Sequence, residues 1–367
     1  MCTTYNLTTT MATKRCGLGA TVMVTADDGT LPLRPGETAR DVLAQRRDLE
    51  LHSYYGEIEH LTFPTSFVPV DVETARAWRI YNRGGQLSPE DARRMGSLRE
   101  RIELEVRRFV DGGGNGSGRA FVRLSTRSPK DAVDSVPALR AKLVTMLRQR
   151  LAPEQSNDPN TRLSVLQDCF GELMSVTRAE EALDLIQFSS RCVSDLVRML
   201  DYYDDLPCWD LQVIVREFVP CPAASEYRCF VFGGKLTAAS QYFAHTYYPE
   251  TDADDIGRRI QTFFAEHCAS AISLDSYILD LAVLPGTSKV WIIELNPFAR
   301  STGACLFDWE ADATVLEGNS PFEIRVVESA KAHLDAWLLP WSDVFAEACQ
   351  ETKEERNKTG GGACAVS

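Results

Sequence analysis

Three oxygen-bearing side chains, Asp280, Glu294 and Asn296, interrupt runs that are otherwise apolar and strand-like. Side chains alternate faces along a strand, so Asp280 shares a face with Ile278 and Ala282, and Glu294 shares one with Asn296. If Pro285 to Lys289 is a five-residue hairpin loop, Asp280 falls opposite Glu294 and three oxygen donors meet on one patch. Hard oxygen ligands of that kind suit Mg²⁺. The competing reading pairs Asp280 and Glu294 with Arg or Lys for structure, because a buried carboxylate needs a partner of some sort. Arg228 lies on one strand face with Glu226 and Phe230, and a guanidinium beside a magnesium site suggests polyphosphate. Val213 to Pro220 ends a strand in a proline-bearing bend, a place for backbone groups that meet an adenine edge.

The elements that must position these groups are read from periodicity and turn residues. In the second half, Leu211 to Phe218, Glu226 to Phe232, Lys235 to Phe243, Ser276 to Leu284 and Val290 to Leu295 are β-branched or aromatic runs, with Gly233-Gly234 as a tight hairpin. A polar helix is expected from Asp254 to Ala269. Upstream, Glu37 to Leu49 has helical character, Phe63 to Pro69 reads as extended, and Arg119 to Ser125 alternates like a strand. Ser88-Pro89 starts a long charged helix through Val110 with a narrow apolar stripe, and Ser128-Pro129-Lys130-Asp131 opens another. Thr177 to Glu180 reads as a capping box before one helix carrying Ala182, Leu185, Ile186, Val193, Leu196, Val197 and Leu200. The glycine-rich stretch 111–118 lacks the Gly-Lys-Ser/Thr ending of a phosphate loop and reads as a linker or lid. The expected organisation is a disordered leader over 1–36, an N-terminal and central lobe over 37–210, a C-terminal lobe over 211–345 and a flexible tail over 346–367.

With 39 basic against 52 acidic residues the net charge is −13, which disfavours phosphate-dominated nucleic-acid binding over the whole surface. The 11 cysteines include no C-x-x-C pair and the 5 histidines no H-x-x-x-H spacing, so neither a disulfide framework nor a zinc site is written here. No apolar run is long enough for a membrane span, and a cytoplasmic protein with reduced thiols is expected.

The ordered series Arg123-Leu124, Ser128 to Ala132, Val215 to Phe218, Glu226 to Val231, Ser240-Gln241, Tyr248-Pro249, Val290 to Phe298 and Leu306 to Glu310 resembles the cell division cycle protein 123 family. The resemblance implies an α+β, ATP-grasp-like fold: two lobes with antiparallel sheets flanked by helices, and nucleotide between them. It implies that ATP and Mg²⁺ are bound, and that the chain assists assembly of eukaryotic translation initiation factor 2 through its gamma subunit. Carried over to this sequence, Arg123 and Arg228 contact phosphate, Glu217 and Phe218 form the adenine hinge, and Glu226 addresses ribose. Asp280, Glu294 and Asn296 hold the metal. The chain departs from the family pattern where a lysine is Arg123, an Asn-Trp is Ser125-Thr126, an aspartate is Glu294 and an arginine is Tyr242. The alternative from another class is an ATP-grasp ligase that activates a carboxylate as an acyl phosphate for an amine or thiol. Cys364-Ala365-Val366-Ser367 matches a prenylation signal, which would give weak, reversible membrane association.

Overall fold

The structure, a computed structural model, describes residues 38–112, 117–151, 157–206, 208–331 and 334–349. The expected leader, the centre of the glycine-rich linker and the terminal Cys364 motif lie outside the described residues. The linker expected from 111 begins inside a helix, and the tail expected from 346 is still helical over 342–349, with Ala348 buried against the core.

In chain order come α1 (Ala39–Arg47), α2 (Leu51–Ile58), β1 (Thr65–Pro69), α3 (Val72–Asn82), α4 (Pro89–Gly112), β2 (Ala120–Leu124), α5 (Pro137–Arg150), α6 (Pro159–Leu173), β3 (Ser175–Val176), α7 (Ala179–Phe188), α8 (Ser190–Asp201) and β4 (Gln212–Glu217). Then follow β5 (Glu226–Phe232), β6 (Lys235–Gln241), α9 (Ala253–Phe263), β7 (Tyr277–Val283), β8 (Val290–Pro297) and β9 (Glu323–Arg325). Two sheets result, ordered β1-β4-β2-β3 and β8-β7-β5-β6-β9, antiparallel throughout except that β9 runs parallel to β6. This is the two-lobed α+β arrangement expected. The first sheet reaches past residue 210, because β4 is hydrogen-bonded between β1 and β2. Leu51, Tyr54 and Ile58 of α2, in turn, pack into the core of the second sheet. No helix among the described residues is long and apolar enough to cross a membrane.

Ser88 caps α4 by accepting from the Asp91 amide at 3.1 Å, and Leu98, Ile102, Val106 and Phe109 form its buried stripe. Each such apolar side chain, once fully buried, contributes about 1.5–3 kcal/mol. Gly233 and Gly234, at φ +57° and +69°, supply the two left-handed positions of the β5–β6 turn, which side chains with a Cβ avoid.

Three local expectations change. The segment from Ser128 does not open a helix; a single turn over Ala132–Asp134 precedes α5 at Pro137. The Asp131 carboxylate, instead of capping its own segment, accepts from the hydroxyls of Ser189 and Ser190 and from the Arg191 amide at 3.2 Å. Thr177 bonds Glu181 rather than Glu180, with its amide 2.8 Å from Oε2, while Glu103 of α4 reaches across to accept from the Ala179 amide at 2.7 Å. The single helix expected behind that cap is broken at Ser189, whose hydroxyl caps α8 by accepting from the Cys192 amide at 3.1 Å. Ser189→Ala removes that cap and one partner of Asp131, so a loss of about 1–2 kcal/mol in denaturant unfolding is expected; an unchanged midpoint would contradict the capping role.

Candidate functional site between the two sheets

Residues Tyr227, Cys229 and Val231 of β5 face the second core, so alternation sends Glu226, Arg228 and Phe230 to the opposite face. β7 pairs with β5 so that Arg228 lies opposite Asp280, and β8 pairs with β7 so that Asp280 lies opposite Glu294. From the first sheet, Arg123 of β2 reaches across to ion-pair with Glu294. The structure thus brings together Arg123, Glu226, Arg228, Asp280, Glu294 and Asn296, six of the eight side chains expected from the sequence.

The pairing of Asp280 with Glu294 is the one expected, reached by a different route. β7 and β8 enter register as Val283 opposite Val290, with Leu284 donating to the Lys289 carbonyl at 3.2 Å, so the loop is one residue longer than the five anticipated. A bulge between Asp280 and Leu281, with Ile293 as the extra residue on β8, then restores the register.

The charges are tightly matched. Arg228 donates from Nε and Nη2 to the two Asp280 oxygens at 2.9 and 2.7 Å, a bidentate pair almost wholly buried, and from Nη1 to the Gly303 carbonyl at 2.6 Å. Asn296 adds a bond from Nδ2 to Asp280 Oδ2 at 2.9 Å. Lys130 donates to the Tyr242 hydroxyl at 3.1 Å, and Lys130 and Arg228 each lie 5.0 Å from the centre of the Tyr242 ring. Burial alone would push the Glu294 carboxyl up, but Arg123 and Lys130 outweigh it and hold the group at about 2. Glu226, enclosed with less compensation, is pushed up to about 7 by burial, with Lys130 opposing and Asp280 and Glu294 adding to the rise.

The other two expected residues lie at the end of β4 in the first sheet. Glu217 closes β4, and Phe218 follows under the Arg119 guanidinium, which lies 4.6 Å from its ring centre. Their amides are spent, Glu217 on the Pro64 carbonyl at 2.9 Å and Phe218 on that of Arg119 at 3.1 Å, so any adenine contact falls to their other atoms.

Three further residues, Lys130, Tyr242 and Arg216, belong to the cluster. Lys130 sits in the Ser-Pro-Lys-Asp segment that reads as a helix start and folds as a turn. Tyr242 stands where the family pattern has an arginine, and its ring lies between Lys130 and Arg228. Arg216 is a charge planted in the apolar run Val213 to Glu217; the alternation argument that flags Asp280 flags it equally. It is 3% exposed and bonds only neutral oxygens, the Ile293 carbonyl at 2.8 Å and the Thr62 hydroxyl at 2.6 Å, with Phe63 stacked 4.9 Å away. Burial pushes it down to about 10, with the Arg123 charge acting in the same direction.

Among the described residues no group of three His, Cys, Asp or Glu side chains is arranged to hold a metal ion. Both Asp280 oxygens are taken by Arg228. Glu294, held ionised, and the amide oxygen of Asn296 suit the protein's share of a Mg²⁺ whose other ligands are phosphate and water. Asp280 suits that role only with Arg228 turned elsewhere.

The D123 family model matches residues 169–337. Cell division cycle protein 123 of Eremothecium gossypii is 28% identical over 214 residues, 56% of this chain and 57% of that protein. The translation initiation factor eIF2 assembly protein of Aspergillus niger is 30% identical over 121 residues, 32% of either chain, and that of Xenopus laevis 31% identical over 101 residues, 27% of this chain and 30% of that one. The chain therefore matches less than two thirds of each relative's own length. Among solved structures, Cdc123 from Schizosaccharomyces pombe superposes with a TM-score of 0.54 at 18% identity, covering 77% of this chain and 96% of that one. The shared fold is ATP-grasp-like.

Two outcomes follow from the charge pairing. Asp280→Asn leaves the Arg228 guanidinium buried without its counter-ion, and a loss of about 3–5 kcal/mol in denaturant unfolding is expected; a loss within experimental error would contradict the pair's importance. A carboxyl whose pKa rises on folding, such as Glu226, favours the folded state at low pH, and that contribution disappears as pH climbs from the ordinary carboxylate range through about 7. Glu294 acts oppositely: its contribution is present above the ordinary carboxylate value and is lost as pH falls toward about 2. Chemical unfolding between about pH 5 and about pH 8 should therefore show a smaller fall in stability for Glu226→Gln than for the parent. Some slope remains because burial also pushes Glu50 up to about 7. Parallel profiles for parent and variant would show that Glu226 does not titrate there.

Proposed function

We propose, from the match of the D123 family model to residues 169–337, that the chain is a member of that family, that it binds ATP with Mg²⁺ between its two sheets, and that it assists assembly of the eukaryotic translation initiation factor 2 complex in the cytoplasm through the gamma subunit. The observation that carries the nucleotide reading is the balance of charge in the cluster. Three cations, Arg123, Lys130 and Arg228, face two carboxylates engaged in ion pairs, Asp280 and Glu294, while burial pushes Glu226 up to about 7. Cations enclosed in excess of their counter-ions favour a polyanionic ligand, and a triphosphate with its metal supplies both the missing negative charge and a partner for Glu294. In this reading Glu226 addresses a ribose; Arg123, Lys130 and Arg228 take phosphate oxygens; Glu294 and Asn296 take the metal.

The partner reading is supported by the names of the Aspergillus niger and Xenopus laevis relatives, both eIF2 assembly proteins. It makes nucleotide a ligand that draws the two sheets onto one cluster, and the closed form the one that grips the gamma subunit.

Calorimetry on the full chain tests the first half. Mg-ATP should bind the parent, and Lys130→Met, which removes a phosphate contact without orphaning a buried carboxylate pair, should weaken binding by about 10- to 100-fold. Absence of binding in the parent, or unchanged affinity in the variant, contradicts the assignment. Retention of the purified gamma subunit on the immobilised chain in Mg-ATP tests the second half; failure to retain it with and without nucleotide overturns it.

A further inference from the structure

The register that places Glu294 depends on one residue of β8. Pairing enters at Val283 opposite Val290 and runs through Leu281 opposite Ile292. Continued without interruption, it would set Asp280 opposite Ile293 and Leu279 opposite Glu294. Leu279 points into the second core, so Glu294 would be turned onto the apolar face and away from Arg123. A slip of one residue flips every side chain of a strand. The bulge at Ile293 prevents this, at the cost of taking a carbonyl out of the ladder, and a buried carbonyl needs a donor.

Three groups from outside the sheet surround that bulge. The Thr62 hydroxyl donates to the Ile292 carbonyl at 2.6 Å, the Leu295 amide donates to the Tyr54 hydroxyl at 2.9 Å, and Arg216 Nη1 donates to the Ile293 carbonyl at 2.8 Å. Arg216 Nη2 donates to Thr62 at 2.6 Å, so one guanidinium ties two of the three points together. Only a planar fork with several donors spans both acceptors at once. No carboxylate among the described residues ion-pairs with Arg216, and its buried Nε has no partner there. A buried guanidinium that bonds only neutral oxygens is a costly feature whose return is geometric.

We propose that Arg216 is a positioning residue for this site: by clamping the Ile293 carbonyl and the Thr62 hydroxyl from the first sheet, it holds the bulge that returns Glu294 to its place between Asp280 and Arg123. The inference deepens the Mg-ATP reading and rests on it for its consequence, since a misplaced Glu294 forfeits the metal. The clamp itself is independent of nucleotide.

The experiment has two arms on the full chain. In the first, amide hydrogen exchange is measured without nucleotide on the parent and on Arg216→Met. Exchange over residues 293–296 should quicken by about tenfold or more in the variant, while Leu279 and the β5–β6 pairing keep the parent's protection. In the second, Kd is measured for ATP with Mg²⁺ and for ATP in EDTA. The variant should lose about tenfold in the presence of Mg²⁺ and less than about twofold in EDTA, and should add nothing to the loss caused by Glu294→Gln. Arg216→Lys, which keeps the charge but reaches one acceptor, should fall between parent and Arg216→Met. If Arg216→Met does not fold, Thr62→Val removes the second acceptor and should show the same pattern in milder form. Parent-like exchange at 293–296, or equal losses with and without Mg²⁺, overturns the proposal. If the parent itself does not bind Mg-ATP, the nucleotide reading fails, and the exchange arm still decides whether Arg216 holds the register.

Discussion

Arg123 and Glu294 lie on different sheets and meet in a buried ion pair, and the arrangement around them follows from the need to keep both charges compensated away from water. Removing an ion pair from water costs several kcal/mol per ion, repaid only where geometry is good and the remaining lone pairs and protons are satisfied. Here Arg123 also bonds the Leu124 carbonyl at 3.1 Å, and Glu294 feels Lys130 and Arg228 as well as Arg123. The pair gives the two sheets a common polar point, and the flanking Arg228–Asp280 and Lys130–Tyr242 contacts grow outward from it.

The same constraint explains why the second sheet is irregular where it is. A uniform β7–β8 hairpin would turn Glu294 to the apolar face; the bulge turns it back and exposes a carbonyl, which Arg216 then satisfies. An arginine in the middle of the first sheet is thus accounted for by the register of the second. In the proposed nucleotide reading, Arg123, Lys130 and Arg228 are the cations of this cluster that would receive phosphate. The resting ion pairs are the partners that a polyanion would replace: phosphate for Asp280 at Arg228, metal for Arg123 at Glu294.

Much of this was legible from period-two alternation. Asp280, Glu294, Asn296, Arg228 and Glu226 could be placed on strand faces because their neighbours are apolar and β-branched, and the Gly233-Gly234 turn fixed the hairpin between β5 and β6. The expected register of Asp280 with Glu294 is present, and of the two readings of Asp280 the resting structure shows the pairing with arginine. What alternation cannot show is a register error and its repair: the longer loop before Val290 and the bulge at Ile293 cancel, and neither has a signature in residue type. Helix boundaries failed where side chains serve a distant backbone. Asp131 caps α8 and Glu103 caps α7, contacts across tens of residues that override the local sequence signals. Lys130 was hidden for the same reason, because the segment read as a helix start is a turn that carries it onto Tyr242.

The central claim is that this cluster is where a nucleotide triphosphate and its metal bind. A crystal structure of the full chain with a non-hydrolysable ATP analogue and Mn²⁺, its metal located by anomalous scattering, tests that most directly. The account predicts phosphate oxygens on Arg123, Lys130 and Arg228, Mn²⁺ coordinated by Glu294 and Asn296, and the bulge at Ile293 retained under Arg216. Nucleotide bound elsewhere, or a cluster whose Arg228–Asp280 and Arg123–Glu294 pairs persist unchanged with no metal beside them, would contradict it.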